Sequence, residues 1–173
     1  KGSVGLEGKS DCSDVVITAV NIRNASKTYI AKTETDGSYV FVGMEEGTYD
    51  LEFSLEGFSS ATLENVSVSS TNTLNLKKVD LLIARGSVCG HVRLEGRESG
   101  NLEGTVVKLN GTAFEATTDE KGYYELEAYA GYYPDGLVFV HEDFENGNYQ
   151  DSVQIIDKTK RVLDTVTLNA KFV

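Results

Sequence analysis

One pattern of alternating residues and tight turns occurs in both halves of the chain, and this repeat limits the fold more than any other feature. Residues 33–58 read TETDGSYVFVGMEEGTYDLEFSLEGF, and residues 117–144 read TTDEKGYYELEAYAGYYPDGLVFVHEDF. Two further matches pair Gly2–Val4 with Gly86–Val88 and Leu6–Lys9 with Leu94–Arg97. The number of residues that separates matched pieces changes along the chain, as loop insertions between fixed strands would produce. The repeat therefore indicates two copies of one supersecondary plan.

The segment Tyr49–Glu56 alternates between apolar and polar residues at every step. A period of two puts Leu51 and Phe53 on one side of a strand and Glu52 on the other. We therefore expect Leu51 and Phe53 to be buried and Glu52 to be exposed. The Asp-Gly turn within Thr35–Ser38 precedes this strand and predicts a hairpin.

Other segments show the same alternation and complete the predicted set of strands. They are Val15–Ile22, Leu74–Lys77 as the closing strand of the first half, Tyr124–Ala128, and Val166–Phe172 as the closing strand of the second half. Short strands at ~8–12 residue spacing with turns between them are typical of a sandwich.

Composition supports an all-β fold, because the chain has nine Tyr, seven Phe and a single Pro. Its length accommodates two domains, residues 1–84 and 85–173, each of a size suited to a seven-stranded sandwich. The junction between them contains no Gly, Pro or Ser, which predicts a fixed mutual orientation of the domains. We expect Leu81, Leu82 and Ile83 to be buried there.

The net charge of −11 is divided between the halves. Residues 1–84 carry seven Lys/Arg and twelve Asp/Glu, and residues 85–173 carry nine and fifteen. Nucleic acid and anionic membrane surfaces both require clusters of cations, so neither is an expected partner. The chain has no run of about 18 apolar residues and no signal peptide, and it begins at Lys1. These features suggest a fragment of a longer polypeptide whose partners include other domains of the same chain.

Cys12 and Cys89 are the only cysteines, one in each half. Small domains stapled by disulfides carry cysteines in pairs within a domain. We therefore expect two reduced, partly buried thiols rather than a bridge.

The order of the motifs in the first half resembles the carboxypeptidase regulatory-like domain. The matching pieces are Gly2–Val4, Leu6–Lys9, Val15–Ile22, Thr35–Tyr39, Gly47–Phe53 and Gly57-Phe58. The resemblance implies two tandem seven-stranded Greek-key β-sandwiches of prealbumin-like type, related to the collagen-adhesin B-type repeats of bacterial surface proteins. The second half resembles the family less closely, because Pro134-Asp135-Gly136 interrupts it.

Members of that family are mostly accessory modules of secreted proteins. The resemblance therefore implies a non-catalytic rigid spacer, stalk or adhesion unit, held in a larger bacterial extracellular or cell-surface protein. A possible protein or glycan ligand is left unidentified by these motifs, which encode turns and packing rather than a site.

The residues show no reactive constellation, so we expect no enzyme. The chain has two histidines, His91 and His141, and neither begins a His-x-x-Glu motif. A Gly-x-Ser-x-Gly elbow and a phosphate-binding Gly loop are also absent from the sequence. The chain lacks the C-terminal Tyr-Arg-Gly-Ser of prealbumin-like hydrolases.

Two acidic loops offer the hard oxygen ligands that calcium takes. One contains Asp11 and Asp14, and the other runs from Glu142 to Asp151. Neither matches a defined calcium-loop motif, so ordinary acidic turns are the preferred interpretation and no cofactor is predicted. Calcium at Asp11 and Asp14 stays an alternative.

A cluster of tyrosines supports a second function, a carbohydrate-binding module. Alternation buries Tyr124 but leaves Tyr123 and Tyr129 on the outer face, with Tyr132 and Tyr133 at a turn. Exposed aromatic rings beside polar groups bind sugars, yet tyrosine is also a common strand residue. We expect Tyr132 and Tyr133 to be covered, capping the end of the sandwich.

Overall fold

The computed structural model describes residues 1–149 and 152–171, and these form strands and loops only. The all-β prediction is confirmed. The described residues include no helix long and apolar enough to cross a membrane. The chain divides into two compact units, Lys1–Ile83 and Ala84–Val173. Phe172, predicted to extend the last strand, and Asp151 of the second acidic loop lie outside the described residues.

Seven strands build the first unit. They are β1 (Gly2–Leu6), β2 (Val16–Asn21), β3 (Asn24–Lys32), β4 (Ser38–Tyr39), β5 (Gly47–Ser54), β6 (Ala61–Val68) and β7 (Val79–Leu81). A three-stranded sheet has the order β4-β1-β7, and a four-stranded sheet has the order β3-β2-β5-β6. Strand β7 runs parallel to β1, and the other pairs are antiparallel.

The core of the first unit lies between these two sheets. Val4 and Leu81 enter it from the smaller sheet, and Leu51 and Phe53 enter it from the larger one. Phe53 is fully buried and Leu51 is 2% exposed, whereas Glu52 between them is exposed. The predicted register of β5 is confirmed.

The predicted hairpin across residues 33–58 is wrong. Strand β4 pairs with β1, whereas β5 pairs with β2 and β6 in the opposite sheet. Residues 40–46 therefore carry the chain from one sheet to the other. Alternation reports which side of a strand is buried, and two strands that face each other across a core alternate in the same way as two neighbours.

The predicted closing strand at Leu74–Lys77 is also wrong, because the last strand of the unit is β7. Leu76 N donates to Lys1 O at 2.9 Å, but this segment forms no ladder. Downstream, Leu81 is buried while Leu82 is 60% exposed and Ile83 is partly exposed, so the predicted burial holds only for Leu81. Successive residues of a strand point to opposite faces, which excludes burying both leucines on one side.

Ten strands are found among the described residues of the second unit. They are β8 (Arg85–Leu94), β9 (Val106–Leu109), β10 (Glu115–Thr117), β11 (Tyr123–Tyr129), β12 (Gly131–Tyr133), β13 (Leu137–Val140), β14 (Gly147–Tyr149), β15 (Val153–Ile155), β16 (Lys160–Val162) and β17 (Val166–Leu168).

The second unit keeps the plan of the first and adds to it. One sheet has the order β10-β9-β13-β14, and in the other β11 and β16 flank β8, which also pairs with β17. Once β12, β15 and β16 are left out, the order β10-β9-β13-β14 corresponds to β3-β2-β5-β6 of the first unit. The order β11-β8-β17 then corresponds to β4-β1-β7. The additional strands are thus β12 and β15, which pair with each other, and β16. The core lies between the two main sheets and includes Val92, Leu126 and Phe139.

The structural counterpart of Gly2–Val4 is Gly90–Val92, not the predicted Gly86–Val88. Gly2 lies opposite Tyr39, and Gly90 lies opposite Tyr124 in the same way. An added Cβ would approach the tyrosine hydroxyl oxygen to 2.6 Å at Gly2 and 2.9 Å at Gly90. The Gly-Ser-Val letters at Gly86–Val88 belong to an extension of β8 that pairs with β16.

Cys12 and Cys89 are free thiols, as expected. Cys12 is half-buried and Cys89 is buried.

Candidate binding surface of the second unit

The candidate functional side chains of the second unit project from the outer face of the sheet that contains β8 and β11. Val88 of β8 and Leu126 of β11 point into the core. The residues next to them along each strand, such as Ser87 and Glu125, therefore point outward. The same alternation places Tyr123 and Tyr129 on this outer face, as the sequence predicted, while Tyr124 is buried.

Glu125 is the centre of a hydrogen-bonded group on this face. Lys160 Nζ donates to its carboxylate at 2.6 Å, the Tyr123 hydroxyl at 3.0 Å and the Ser87 hydroxyl at 3.1 Å. These donors, Lys160 first, hold the pKa of Glu125 below its ordinary value, and the carboxylate in turn raises the pKa of Lys160. The carboxylate is therefore ionised, and all three donors are protein groups. It is suited to holding these side chains in place rather than to acting as a general base.

Tyr123 packs against a neighbour instead of offering a bare ring. Its ring meets the His91 ring edge to face, with centroids 5.4 Å apart. The nearby Cys89 thiol, then partial burial, and then Glu125 raise the pKa of Tyr123. The phenol is neutral at physiological pH, and the ring is partly covered.

Tyr129 and Tyr133 form a separate group at the other end of β11. The Tyr133 hydroxyl donates to Tyr129 O at 2.9 Å, and burial raises the pKa of Tyr133. The Tyr129 ring packs edge to face on Phe114 at 5.0 Å, with the Arg85 guanidinium 5.6 Å from its centroid. These contacts engage the Tyr129 ring in packing, although 44% of the residue stays exposed.

Tyr132 is 65% exposed, so the expectation that both turn tyrosines are covered fails at this residue. It neighbours Tyr133 in β12, and adjacent strand residues point to opposite faces. Tyr123 and Tyr129 lie six positions apart on one strand, a separation of ~20 Å. The structure thus brings Tyr129 and Tyr133 together but does not gather Tyr123, Tyr129, Tyr132 and Tyr133 into one platform.

The two aspartates considered for calcium turn to different partners in the first unit. Asp11 Oδ1 accepts from Ser13 N at 2.9 Å, and hydrogen bonds from Ser13 lower the pKa of Asp11. Asp14 Oδ1 lies 3.8 Å from Lys32 Nζ. Within residues 1–149 and 152–171, no group of three or more His, Cys, Asp or Glu side chains is arranged to hold a metal.

An open groove of about 700 Å³ lies on the outer face of the second unit. It is bordered by the end of β8, the turn before β11, and β17. Arg93 of β8 pairs across the sheet with Thr167 of β17. Lys121 directly precedes Gly122, whose carbonyl accepts from Val92 N at 2.8 Å. Lys121 in the turn before β11, Arg93 in β8 and Thr167 in β17 therefore form one row, which we call the cationic row, and all three line the groove.

The equivalent row of the first unit has a different charge. Gly5 pairs with Asp80 as Arg93 pairs with Thr167, and Asp36 precedes Gly37 as Lys121 precedes Gly122. The first unit therefore has Asp36, Gly5 and Asp80 where the second has the cationic row. Asp80 is also bound by Lys78, at 2.7 Å.

Sequence reasoning missed the cationic row because it aligned the two first strands on Gly86. With Gly90 as the counterpart of Gly2, the change from Gly5 to Arg93 and from Asp36 to Lys121 is visible in the letters alone. The signal was present, but only the pairing of the strands established the alignment that reveals it.

The architecture and the comparisons with known proteins agree for the first unit. Residues 2–81 match the family model of the carboxypeptidase regulatory-like domain. No curated protein matches the chain.

Among solved structures, the TIE protein of Bacillus anthracis has a similar fold, with a TM-score of 0.57 and 11% identity. That likeness covers 98% of this chain and 33% of the other, so this chain spans a third of its length. The minor pilin of the gram-positive pathogen Streptococcus agalactiae aligns with a TM-score of 0.39 and 11% identity over 99% of this chain and 96% of that one. A cohesin–X-dockerin complex from Acetivibrio cellulolyticus aligns with a TM-score of 0.37 and 18% identity over 48% of this chain and 56% of that one. The family match covers residues 2–81, which is almost all of the first unit, and this unit is similar to the carboxypeptidase regulatory-like domain.

Proposed function

We propose that the chain is a non-catalytic structural and interaction module, two sandwich domains in tandem, within a larger bacterial protein that is exposed outside the cell. The match of the first unit to a family of mostly accessory domains favours a structural role over a catalytic one. The second unit repeats the strand plan of the first, which supports reading it as a divergent second copy.

The observation that carries this proposal is the way the junction is built. Ser59 N donates to Leu82 O at 2.8 Å, and Ile83 N donates to Glu7 Oε2 at 2.8 Å, so both residues are bonded into the first unit. Ala84 O accepts from Ala130 N at 2.8 Å and is bonded into the second unit. The three residues between β7 and β8 are thus each hydrogen-bonded to one sandwich, and the two units are joined without a long linker. This is the construction expected of a spacer.

The carbohydrate-binding alternative built on the four tyrosines has less support. Its best argument is the exposed ring of Tyr132, but the other three tyrosines engage protein neighbours, Tyr123 at one end of β11 and Tyr129 with Tyr133 at the other. Stacking on a sugar requires an uncovered aromatic face with polar groups at its rim.

Two measurements test the proposal. Cells that carry the polypeptide are treated with a membrane-impermeant amine-reactive biotin reagent, and we expect lysines of this segment to be labelled on intact cells. Labelling that appears only after lysis contradicts an external location. In the second measurement the purified chain is exposed to a non-specific protease; two tightly folded units with a bonded junction should survive together as one fragment. Early cleavage at residues 82–84 contradicts the spacer.

A further inference from the structure

We propose that the cationic row of the second unit binds an acidic polysaccharide, with Arg93 and Lys121 contacting carboxylate groups and Thr167 contacting sugar hydroxyls. This inference goes beyond a spacer role and does not use the tyrosine cluster. It assigns a ligand to the groove of about 700 Å³ on the outer face of β8.

The groove has cations that the protein itself does not neutralise. Arg93 and Lys121 are exposed, and neither forms an ion pair with a residue in the described part of the chain. The other charged groups of the groove have partners: Arg97 binds Asp143 Oδ2 at 2.9 Å, and Glu95 Oε2 accepts from Ala170 N at 3.0 Å. With Arg97 paired to Asp143, the groove has the two cations Arg93 and Lys121 against the single carboxylate of Glu95, which leaves a net positive charge.

The charge is local to this groove and is not a property of the domain type. Residues 85–173 carry nine Lys/Arg against fifteen Asp/Glu, so the cations stand out from an acidic background. In the first unit the same three positions hold Asp36, Gly5 and Asp80. The first sandwich therefore has no cation at these positions, so the shared strand plan does not itself require Arg93 and Lys121.

The groove suits a glycan better than a peptide strand. Peptides that bind along a sheet gain main-chain hydrogen bonds from an unpaired edge. Strand β8 is already paired with β11 on one side and with β16 and β17 on the other, so it has no such edge. A ligand that lies across β8 in this groove is therefore recognised through side chains.

The side chains present match a sugar acid. A guanidinium binds a carboxylate with two parallel hydrogen bonds, and an ammonium adds a second positive charge. The hydroxyls of Thr165, Thr167 and Ser99 also line the groove and are suited to sugar hydroxyls. The volume lies within the ~300–1,000 Å³ typical of small-ligand sites.

The test is calorimetric titration of the whole chain with oligogalacturonate, a polymer that carries one carboxylate on each sugar. A neutral oligosaccharide of equal length and poly-glutamate are titrated in parallel. We expect oligogalacturonate to bind, with an affinity that falls at least fivefold in high salt because surface charges are screened. The neutral oligosaccharide should not bind, and poly-glutamate should bind at least tenfold more weakly.

Paired variants locate the site. Arg93→Gln combined with Lys121→Gln should lower the affinity for oligogalacturonate at least tenfold. The control, Lys158→Gln combined with Arg161→Gln, removes the same charge from exposed positions outside the groove and should change the affinity less than threefold. Circular dichroism and the unfolding midpoint verify that both variants are folded.

Three results would overturn the proposal. They are no binding of oligogalacturonate by the unchanged chain, an equal loss in both paired variants, and poly-glutamate binding as tightly as the sugar. The last result would indicate recognition of charge alone, as in an acidic peptide. None of these results bears on surface labelling or protease resistance, so failure here is separable from failure of the proposed function.

Discussion

Thr33 and Thr118 occupy equivalent positions in the two units, and each buried hydroxyl makes the same two hydrogen bonds. The Thr118 hydroxyl accepts from Thr105 N at 3.0 Å and donates to Leu102 O at 3.0 Å. The Thr33 hydroxyl accepts from Val15 N at 3.0 Å and donates to Cys12 O at 2.6 Å. In both units one side chain satisfies an amide and a carbonyl where the loop after the first strand meets the second, so the hydroxyl replaces a missing part of the backbone ladder.

Replacing Thr118 with Val should lower the free energy of unfolding of the second unit by about 1–3 kcal/mol. Valine has the same shape but leaves a buried amide and a buried carbonyl without partners. The measurement is urea unfolding of the whole chain, followed by the signal of the second unit. Thr118→Ser keeps the hydroxyl and is the matched control, with a smaller expected loss. A valine variant as stable as the serine variant would show that the two hydrogen bonds contribute nothing.

In the core of the first unit, Leu51→Ala should cost about 2–5 kcal/mol, because it leaves a cavity between the two sheets. Glu52→Ala, one residue along the same strand, should cost less than about 0.5 kcal/mol because that side chain is exposed. Both values come from denaturant titration monitored by circular dichroism. Equal losses would be incompatible with the register of β5.

Tyr124→Phe should leave the stability of the second unit unchanged or raise it by up to about 1 kcal/mol. The Tyr124 hydroxyl is buried against Gly90 and has no hydrogen-bond partner among the described residues. Removing an unpaired buried hydroxyl removes its desolvation cost. Thermal unfolding by calorimetry checks this, and a clear drop in the unfolding temperature of the second unit would reveal a partner for the hydroxyl.

Stability of the first unit should fall at high pH through Tyr39. Burial raises the pKa of Tyr39 from 10.0 to about 12, because the folded state disfavours the phenolate. A raised pKa contributes stability that is fully present below the unfolded value and is lost as pH rises from about 10 through about 12. Unfolding midpoints of the first unit, measured between pH 8 and pH 12, should decline over this window, and the decline should be shallower in Tyr39→Phe. An identical decline in both proteins would assign the effect to other groups.

Alternation in the sequence was sufficient to locate the buried side of most strands. Leu51, Phe53 and Tyr124 are buried and Glu52 is exposed, as the period of two predicts. The turn chemistry was equally direct: Gly37 and Gly122 have φ of 79° and 77°, a backbone region that glycine adopts without strain. These properties depend on neighbours within a few residues, so they can be derived from the letters.

The pairing of strands could not be derived in the same way. Strands β4 and β5 looked like a hairpin but lie in opposite sheets, and the closing strand proved to be Val79–Leu81 rather than Leu74–Lys77. Each alternative buries a similar set of apolar side chains, so local pattern does not distinguish them. The choice depends on which segments reach the edge of β1 after the whole sandwich has closed.

The binding surface shows the same division between local and tertiary information. Each member of the cationic row is ordinary in the sequence: Lys121 lies in a turn, Arg93 within a strand and Thr167 in a later strand. The sequence by itself determined an all-β chain with two related halves, an acidic surface and buried apolar faces. Only the tertiary structure decided that Arg93 and Thr167 share a register, that Lys121 lies beside them, and that the first unit holds aspartates at the matching positions. Hydrogen bonds between distant strands made these decisions, because they join residues that no local pattern connects.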